Sequence, residues 1–217
     1  MHHSKVWSLL GLGALLSLAG CMHTPVTLTL FESVGLNKNV DALQLNPQLR
    51  YLRVNVDGRV LLMVMGYSEP SAAGTLETWY SGEGEVLRLL NGRIFSTAGL
   101  DVDWQAVRNT ALPSWGEMLG RPSAQFVRER DEMPGYRFSI TETVSLDSVP
   151  AQTNSKLVGL SASDLIWFEE TVRKGANGVP SARYGLRVVA GVPSVVYGEQ
   201  CLSNNFCFSW QTWPAKS

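Results

Sequence analysis

The chain of 217 residues carries 18 basic and 19 acidic side chains and a formal charge of −1, with 20 glycines, 10 prolines and three cysteines. That balance excludes the basic surface that nucleic acid requires, so no nucleic-acid partner is expected. The three histidines, His2, His3 and His23, all lie at the extreme N-terminus, which excludes a histidine triad, a histidine general base or a histidine-ligated zinc in the body of the chain.

Met1-His2-His3-Ser4-Lys5 is followed by an apolar run from Val6 to Gly20, interrupted by Ser8, Gly11, Gly13 and Ser17. The run falls short of the ~20 apolar residues of a spanning helix and reads as a removable signal. It ends in Leu18-Ala19-Gly20-Cys21, the pattern at which a bacterial lipoprotein is cut before a cysteine that takes diacylglycerol. Residues 1–20 are therefore expected to be the signal peptide, 21–48 the lipidated tether and leading segment, and 49–217 a β-rich domain. Several acyl chains on Cys21 hold a protein to a membrane where one would not. Met22, where an aspartate would favour the inner membrane, points to the outer membrane, with the domain facing the periplasm. In that oxidising compartment Cys201 and Cys207 are expected to form a disulfide, whose small loop is worth about 2 kcal/mol.

From Tyr51 onward strands dominate. Leu52, Val54 and Val56 alternate with Arg53 and Asn55; Asp57-Gly58 supplies a tight turn, and Val60 to Met65 returns. A loop over Ser68 to Gly74 precedes Thr78-Trp79-Tyr80, a turn at Ser81 to Gly84, a strand from Val86 to Leu90, a turn at Asn91-Gly92 and a strand from Arg93 to Thr97. Residues 101–122 break the rhythm, with Asp103 as N-cap of a short helix through Trp104 and Val107, and read as a crossover between two sheets. Strands resume at Phe126 and Arg128, then at Tyr136, Phe138, Ile140 and Val144. Further strands cover Leu165 to Val172, Arg183 to Val189, Val195 to Cys201 and Phe206 to Thr212, with a turn at Gly191-Val192-Pro193. The fold class is all-β, an antiparallel sandwich or closed barrel of about ten strands with one short helical crossover.

The residues that could carry chemistry are few. Asp101 and Asp103 would lie about 6.6 Å apart on an extended chain, a separation open to inverting glycoside hydrolysis, but any acidic pair two residues apart does the same and a cap is the commoner use. Glu169 and Glu170 point to opposite faces of a strand and cannot act together. Gly82-Glu83-Gly84 leads into a strand and cradles no phosphate, and neither a cofactor nor a metal is expected. Trp79, Tyr80, Trp104 and Arg93 are candidates for a glycan groove, since rings stack on sugar faces and arginine holds acidic sugars. Core filling by the rings, and a solvated strand position for Arg93, are the commoner uses.

Beyond these features the chain resembles the YjbF/GfcB family of outer-membrane lipoproteins associated with group 4 capsule and exopolysaccharide production. The resemblance is carried by Met65-Gly66-Tyr67-Ser68-Glu69, by Thr78-Trp79-Tyr80-Ser81 and most specifically by Leu90-Asn91-Gly92-Arg93-Ile94-Phe95-Ser96-Thr97-Ala98-Gly99-Leu100. It covers the first half of the mature chain. It implies a β-rich fold, no enzymatic activity, and work beside polysaccharide export proteins that include an outer-membrane β-barrel. The expected role is to support secretion or assembly of the polysaccharide; the alternatives are a periplasmic glycan-binding module or, third, a carboxylate-dependent glycan-cleaving enzyme.

Overall fold

A computed structural model describes residues 40–175 and 178–215, so the signal peptide and Cys21 lie outside the described residues. Twelve strands and one short helix follow in order: β1 (Tyr51–Val56), β2 (Arg59–Ser71), β3 (Gly74–Ser81), β4 (Val86–Leu90), β5 (Arg93–Ala98), β6 (Asp103–Thr110), α1 (Trp115–Met118), β7 (Ser123–Met133), β8 (Arg137–Val149), β9 (Ile166–Gly175), β10 (Ala182–Val189), β11 (Val192–Ser203) and β12 (Phe206–Trp213). They make one 12-stranded antiparallel sheet in which sequence neighbours pair, except β5 and β6, and β1 joins β12. The two edge strands, β5 and β6, lie side by side, and the sheet is a nearly closed barrel.

Turn chemistry sets the hairpins. Asp57-Gly58 and Asn91-Gly92 both take positive φ, at 49° and 88° and at 50° and 80°, as a two-residue turn matched to strand twist demands. Leu52, Val54, Met63, Trp79, Leu87, Phe208 and Trp210 share one buried cluster inside the barrel. Phe208 and Trp210 thus lie on the face expected of them, opposite Cys207, Ser209 and Gln211. Cys201 and Cys207 are directly paired across the β11–β12 hairpin and form the disulfide, with Cα atoms 3.9 Å apart.

Three expectations need correction. Residues 103–110 are a strand, not a helix, and there is no crossover between two sheets. Asp103 caps nothing: it accepts hydrogen bonds from Thr97 Oγ1 at 2.8 Å and from the backbone of Gly99 at 3.0 Å and Leu100 at 3.4 Å, while Thr97 Oγ1 accepts from the backbone N–H of Trp104 at 3.0 Å. These bonds hold β6 against β5. The helix stands later, where Ser114 and Glu117 form a reciprocal capping box ahead of Trp115–Met118. Finally, β2 and β3 run into the loop expected at Ser68 to Gly74 and leave only 72–73 between them, and the last turn of the chain's middle lies at Ala190-Gly191, with Val192 and Pro193 already in β11.

The loop 150–165 crosses the outside of the barrel. Leu165, Trp167 and Tyr197 form a second buried cluster there with Leu157 and Val196. The loop is held by Tyr197 Oη, which accepts from the Lys156 N–H at 2.9 Å, and by Gln211, which exchanges two bonds with the Val158 backbone at 3.0 and 2.8 Å. This cover explains why Gln211, on the outward face of β12, is only 2% exposed.

Candidate functional site

Strands β7, β8 and β9 turn charges into the barrel. In β7, Phe126, Arg128, Arg130 and Glu132 share the buried face, while Glu129 and Asp131 lie outside with Arg108. In β8, Glu142 stands in phase with Val144 and Leu146, both fully buried. In β9, Glu170 points inward and Glu169 pairs outside with Arg183 at 3.1 Å, so the two neighbours do face opposite ways.

These side chains make one continuous ladder. Arg93 Nε donates to Glu170 at 2.7 Å, Glu170 meets Arg128 at 3.5 Å, and Arg128 donates to Glu142 at 2.8 Å. Glu142 also accepts from Arg130 at 3.1 Å; Arg130 then pairs with Glu132, and Glu132 with Arg137. Arg93 follows the β4–β5 turn and Arg137 the β7–β8 turn, so the ladder runs from one end of the barrel to the other. Both ends are arginines, and the ladder has one more cation than anion. Trp104 lies across it, its ring 5.0 Å from the Arg128 guanidinium and 4.7 Å from that of Arg130, and its indole N–H donates to the Leu202 carbonyl on β11 at 3.0 Å. Tyr184 Oη lies 3.2 Å from Gln200 and 3.5 Å from Glu170. Burial, reinforced by the Glu170 charge, raises the Tyr184 pKa far above its ordinary value.

At the Arg93 end the Asn91-Gly92-Arg93 segment locks a corner. The Asn91 amide accepts from the Thr75 N–H at 2.9 Å and donates to the Ala73 carbonyl at 2.8 Å, clamping the β2–β3 turn. The Asn91 carbonyl accepts from the Trp115 indole at 2.8 Å, which seats α1. A Cβ on Gly92 would stand 2.4 Å from Val195, so only glycine fits between this turn and β11. Arg93 then enters the barrel with the Trp115 ring 3.4 Å from its guanidinium carbon. Beside this corner, between β5, β6 and the segment leading into α1, lies a cavity of about 510 Å3 that Arg93 and Asn109 help to line.

The four residues considered for a glycan groove do not meet on an open face. Trp79 and Trp104 are each 1% exposed and sit on separate strands of the core, and Arg93 at 6% is neither solvated nor on the surface. Tyr80 is half-buried and packs edge-on against Tyr67. Of the acidic pair, Asp101 is exposed and rims a mainly apolar cavity of about 350 Å3 at the opposite mouth, where Val54, Leu61, Met63, Phe206 and Phe208 form the wall. Asp103 is spent on the β5–β6 seam. The sequence reading missed Arg128, Arg130, Glu132 and Glu142; the available signal was their phase, since each continues the face begun by Phe126 or shared with Val144.

No family model matches the chain, and no curated protein matches it. Among solved structures, the crystal structure of the hypothetical lipoprotein YmcC from Escherichia coli (K12) matches with a TM-score of 0.62, over 91% of this chain and 100% of that chain, at 16% identity. The chain shares its fold with YmcC. The likeness extends over the whole of YmcC, so the barrel as a unit, and not one hairpin of it, is the common feature.

Proposed function

We propose that this protein is an outer-membrane lipoprotein, anchored through Cys21 and facing the periplasm, that supports secretion or assembly of an extracellular polysaccharide without catalysing a reaction. The observation that carries the reading is the combination of a lipoprotein leader, Leu18-Ala19-Gly20-Cys21, with the fold of a protein described as a lipoprotein. The polysaccharide role rests on the resemblance at residues 65–69, 78–81 and 90–100, whose most specific part, Asn91-Gly92-Arg93, forms the locked corner described above. A non-catalytic role is supported by how the carboxylates are used. Glu132, Glu142 and Glu170 each bridge two arginines, and Asp103 is saturated by Thr97 and the backbone. Groups held in that way are acceptors in a scaffold and are poorly placed to shuttle a proton to a substrate. The partners are the membrane, through the lipid, and export proteins that include an outer-membrane β-barrel.

The test is the amount of surface-bound and released polysaccharide in a strain lacking the gene, complemented with wild type or with Cys21→Ala. A drop restored by wild type alone supports both the role and the anchor. Restoration by both forms keeps the role and removes the need for the anchor, and an unchanged yield in the deletion strain rejects the role.

A further inference from the structure

The β10–β11 hairpin ends in Val188-Val189-Ala190-Gly191-Val192-Pro193, and this tip stands clear of the rest of the sheet. On one flank the pairing with β9 stops at Leu186 and Ile166; on the other the pairing with β12 stops at Tyr197 and Gln211. Continued to the last residue of β12, that register sets Trp213 level with Val195, so Val192 lies about 10 Å farther out at ~3.3 Å per residue. The projecting tip is apolar and faces water. Val189 is 63% exposed and Val192 67%, and no charged residue occurs from Val188 to Gly198. Exposed apolar residues gathered in one run mark a contact surface, because the tips of solvated hairpins are otherwise polar.

The opposite end of the barrel has a projecting ribbon of its own, the β7–β8 hairpin, where Tyr136 is 75% and Phe138 59% exposed. That ribbon carries Asp131, Glu132 and Arg137, charges that a lipid surface would have to strip of water. The β10–β11 tip carries none. The chain also joins the barrel at the β10–β11 end. Asp41 pairs with Arg53 of β1 at 2.7 Å, the Asn46 N–H donates to Tyr51 Oη at 3.1 Å, and Tyr51 opens β1 opposite Trp213. Residues 21–39 therefore lead from the anchor cysteine to the same end as the apolar tip.

We infer that the β10–β11 tip is a second membrane contact, seated at the boundary between headgroups and acyl chains of the bilayer that holds Cys21. The inference rests on the lipid anchor of the function proposed above and not on the polysaccharide role. Backbone chemistry keeps the contact shallow. Neither flank of the tip is paired with a neighbouring strand, so deeper in hydrocarbon its free N–H and C=O groups would have no partners. Pro193 removes one such donor, and the reach of the tip matches the ~5–10 Å depth of interfacial elements. With tether and tip at one end, the barrel stands on the membrane and directs its Tyr136 end away from it.

Fluorescence quenching on the full lipidated chain, in vesicles of phosphatidylethanolamine and phosphatidylglycerol, tests the contact. With Cys21 acylated and Cys201 joined to Cys207, Val189→Cys or Tyr136→Cys offers a single free thiol for an environment-sensitive fluorophore. Both positions are exposed, so neither substitution disturbs the core. Iodide in the buffer is expected to quench the label at 189 about tenfold less than the label at 136, because an anion is excluded from the acyl region. A nitroxide carried on the lipid near its headgroup is expected to quench the label at 189 and to leave the label at 136 unchanged. Val192→Asp, placed opposite the label at 189, is expected to restore iodide quenching to the level seen at 136 while the chain still floats with the vesicles. Iodide quenching at least as strong at 189 as at 136 overturns the inference, and so does protection that survives Val192→Asp. Protection from iodide without quenching by the lipid nitroxide also overturns it, and identifies a protein, a second copy of this chain included, as the occupant of the tip. Flotation reports the anchor separately: a chain that floats with position 189 open to iodide keeps the anchor and loses the second contact, whereas a chain that does not float loses both.

Discussion

The two sides of the barrel interior are built on different principles. Strands β1 to β4 and β12 contribute Leu52, Val54, Met63, Trp79, Leu87, Phe208 and Trp210, which stabilise by area removed from water and tolerate small shifts. Strands β7 to β9 contribute Arg128, Arg130, Glu132, Glu142 and Glu170, which are as well buried but are stable only as a complete set. Desolvating these charges is costly, and their mutual attraction offsets it only while every partner is present. The apolar side is therefore forgiving and the charged side is all-or-none. Two tryptophans show the contrast at one residue type: Trp79 has no hydrogen-bond partner for its buried indole N–H among the described residues and one guanidinium, that of Arg50, at 5.7 Å, whereas Trp104 donates to Leu202 and lies closer to two guanidinium groups.

The sharpest way to break this contrast is at Glu142. Glu142→Gln removes the one charge shared by Arg128 and Arg130 and is expected to cost about 3–5 kcal/mol in urea unfolding, the scale for breaking a buried pair from one side. Replacing Arg128, Arg130 and Glu142 together by apolar residues of similar volume is expected to be neutral or stabilising by about 1–4 kcal/mol, since Glu170 keeps Arg93 and Glu132 keeps Arg137. If the single and triple variants lose stability alike, the ladder is not a cooperative unit.

The tryptophan pair comes next. Trp104→Phe strands the Leu202 carbonyl and weakens the ring's contacts with two guanidinium groups, for an expected loss of about 2 kcal/mol. Trp79→Phe discards a donor that bonds nothing in the described structure, and its loss should stay below about 1 kcal/mol by the same denaturation measurement.

Alkali offers a test without mutation. Tyr184, inside the barrel, and Tyr197, under the outer loop, have pKa values raised chiefly by burial and further by Glu170 and Glu199 respectively. Both remain neutral in the folded chain when the unfolded chain ionises, so their contribution is intact below pH ~10 and is lost as pH rises beyond it, at about 1.4 kcal/mol per tyrosine per pH unit. A series of melting curves from pH 8 to 11 should show this decline, and Tyr184→Phe should flatten it by about half. The smallest expected effect is at Ser114→Ala, which removes the capping box of α1 for about 1 kcal/mol, and thermal melting should show it as a modest shift.

Much of the fold is legible in the residues because alternation and turn chemistry agree along most of the chain. Asp57-Gly58 and Asn91-Gly92 name their own turns, and Phe206, Phe208 and Trp210 name the buried face of β12. The helix was misplaced because Asp103 satisfies the composition of an N-cap while its carboxylate serves a neighbouring strand; the true signal, Ser114 with Glu117 three residues on, stood eleven positions later. The ladder was illegible for a different reason. Both faces of β7 carry charges, so burial cannot be told from solvation by residue type, and the partners that neutralise the inner face lie as far apart in sequence as Arg93 and Glu170. In β8 the series Ile140, Val144 has its missing member at Glu142, a gap that marks the inward charge once it is noticed.

The pairing of β1 with β12 has a consequence for how the chain reaches its final state. Every other ladder joins strands that are neighbours in sequence, so most of the sheet can assemble progressively from one end. Tyr51 and Trp213 meet only once the segment between them has been made, so a partial chain that stops short of β12 has no means of completing the sheet. Until then β1 presents an unpaired row of backbone donors and acceptors, the kind of edge that recruits other chains. A copy truncated before Phe206 would keep that edge for its lifetime, which makes the last strand the point at which a growing polypeptide stops being a liability to its neighbours.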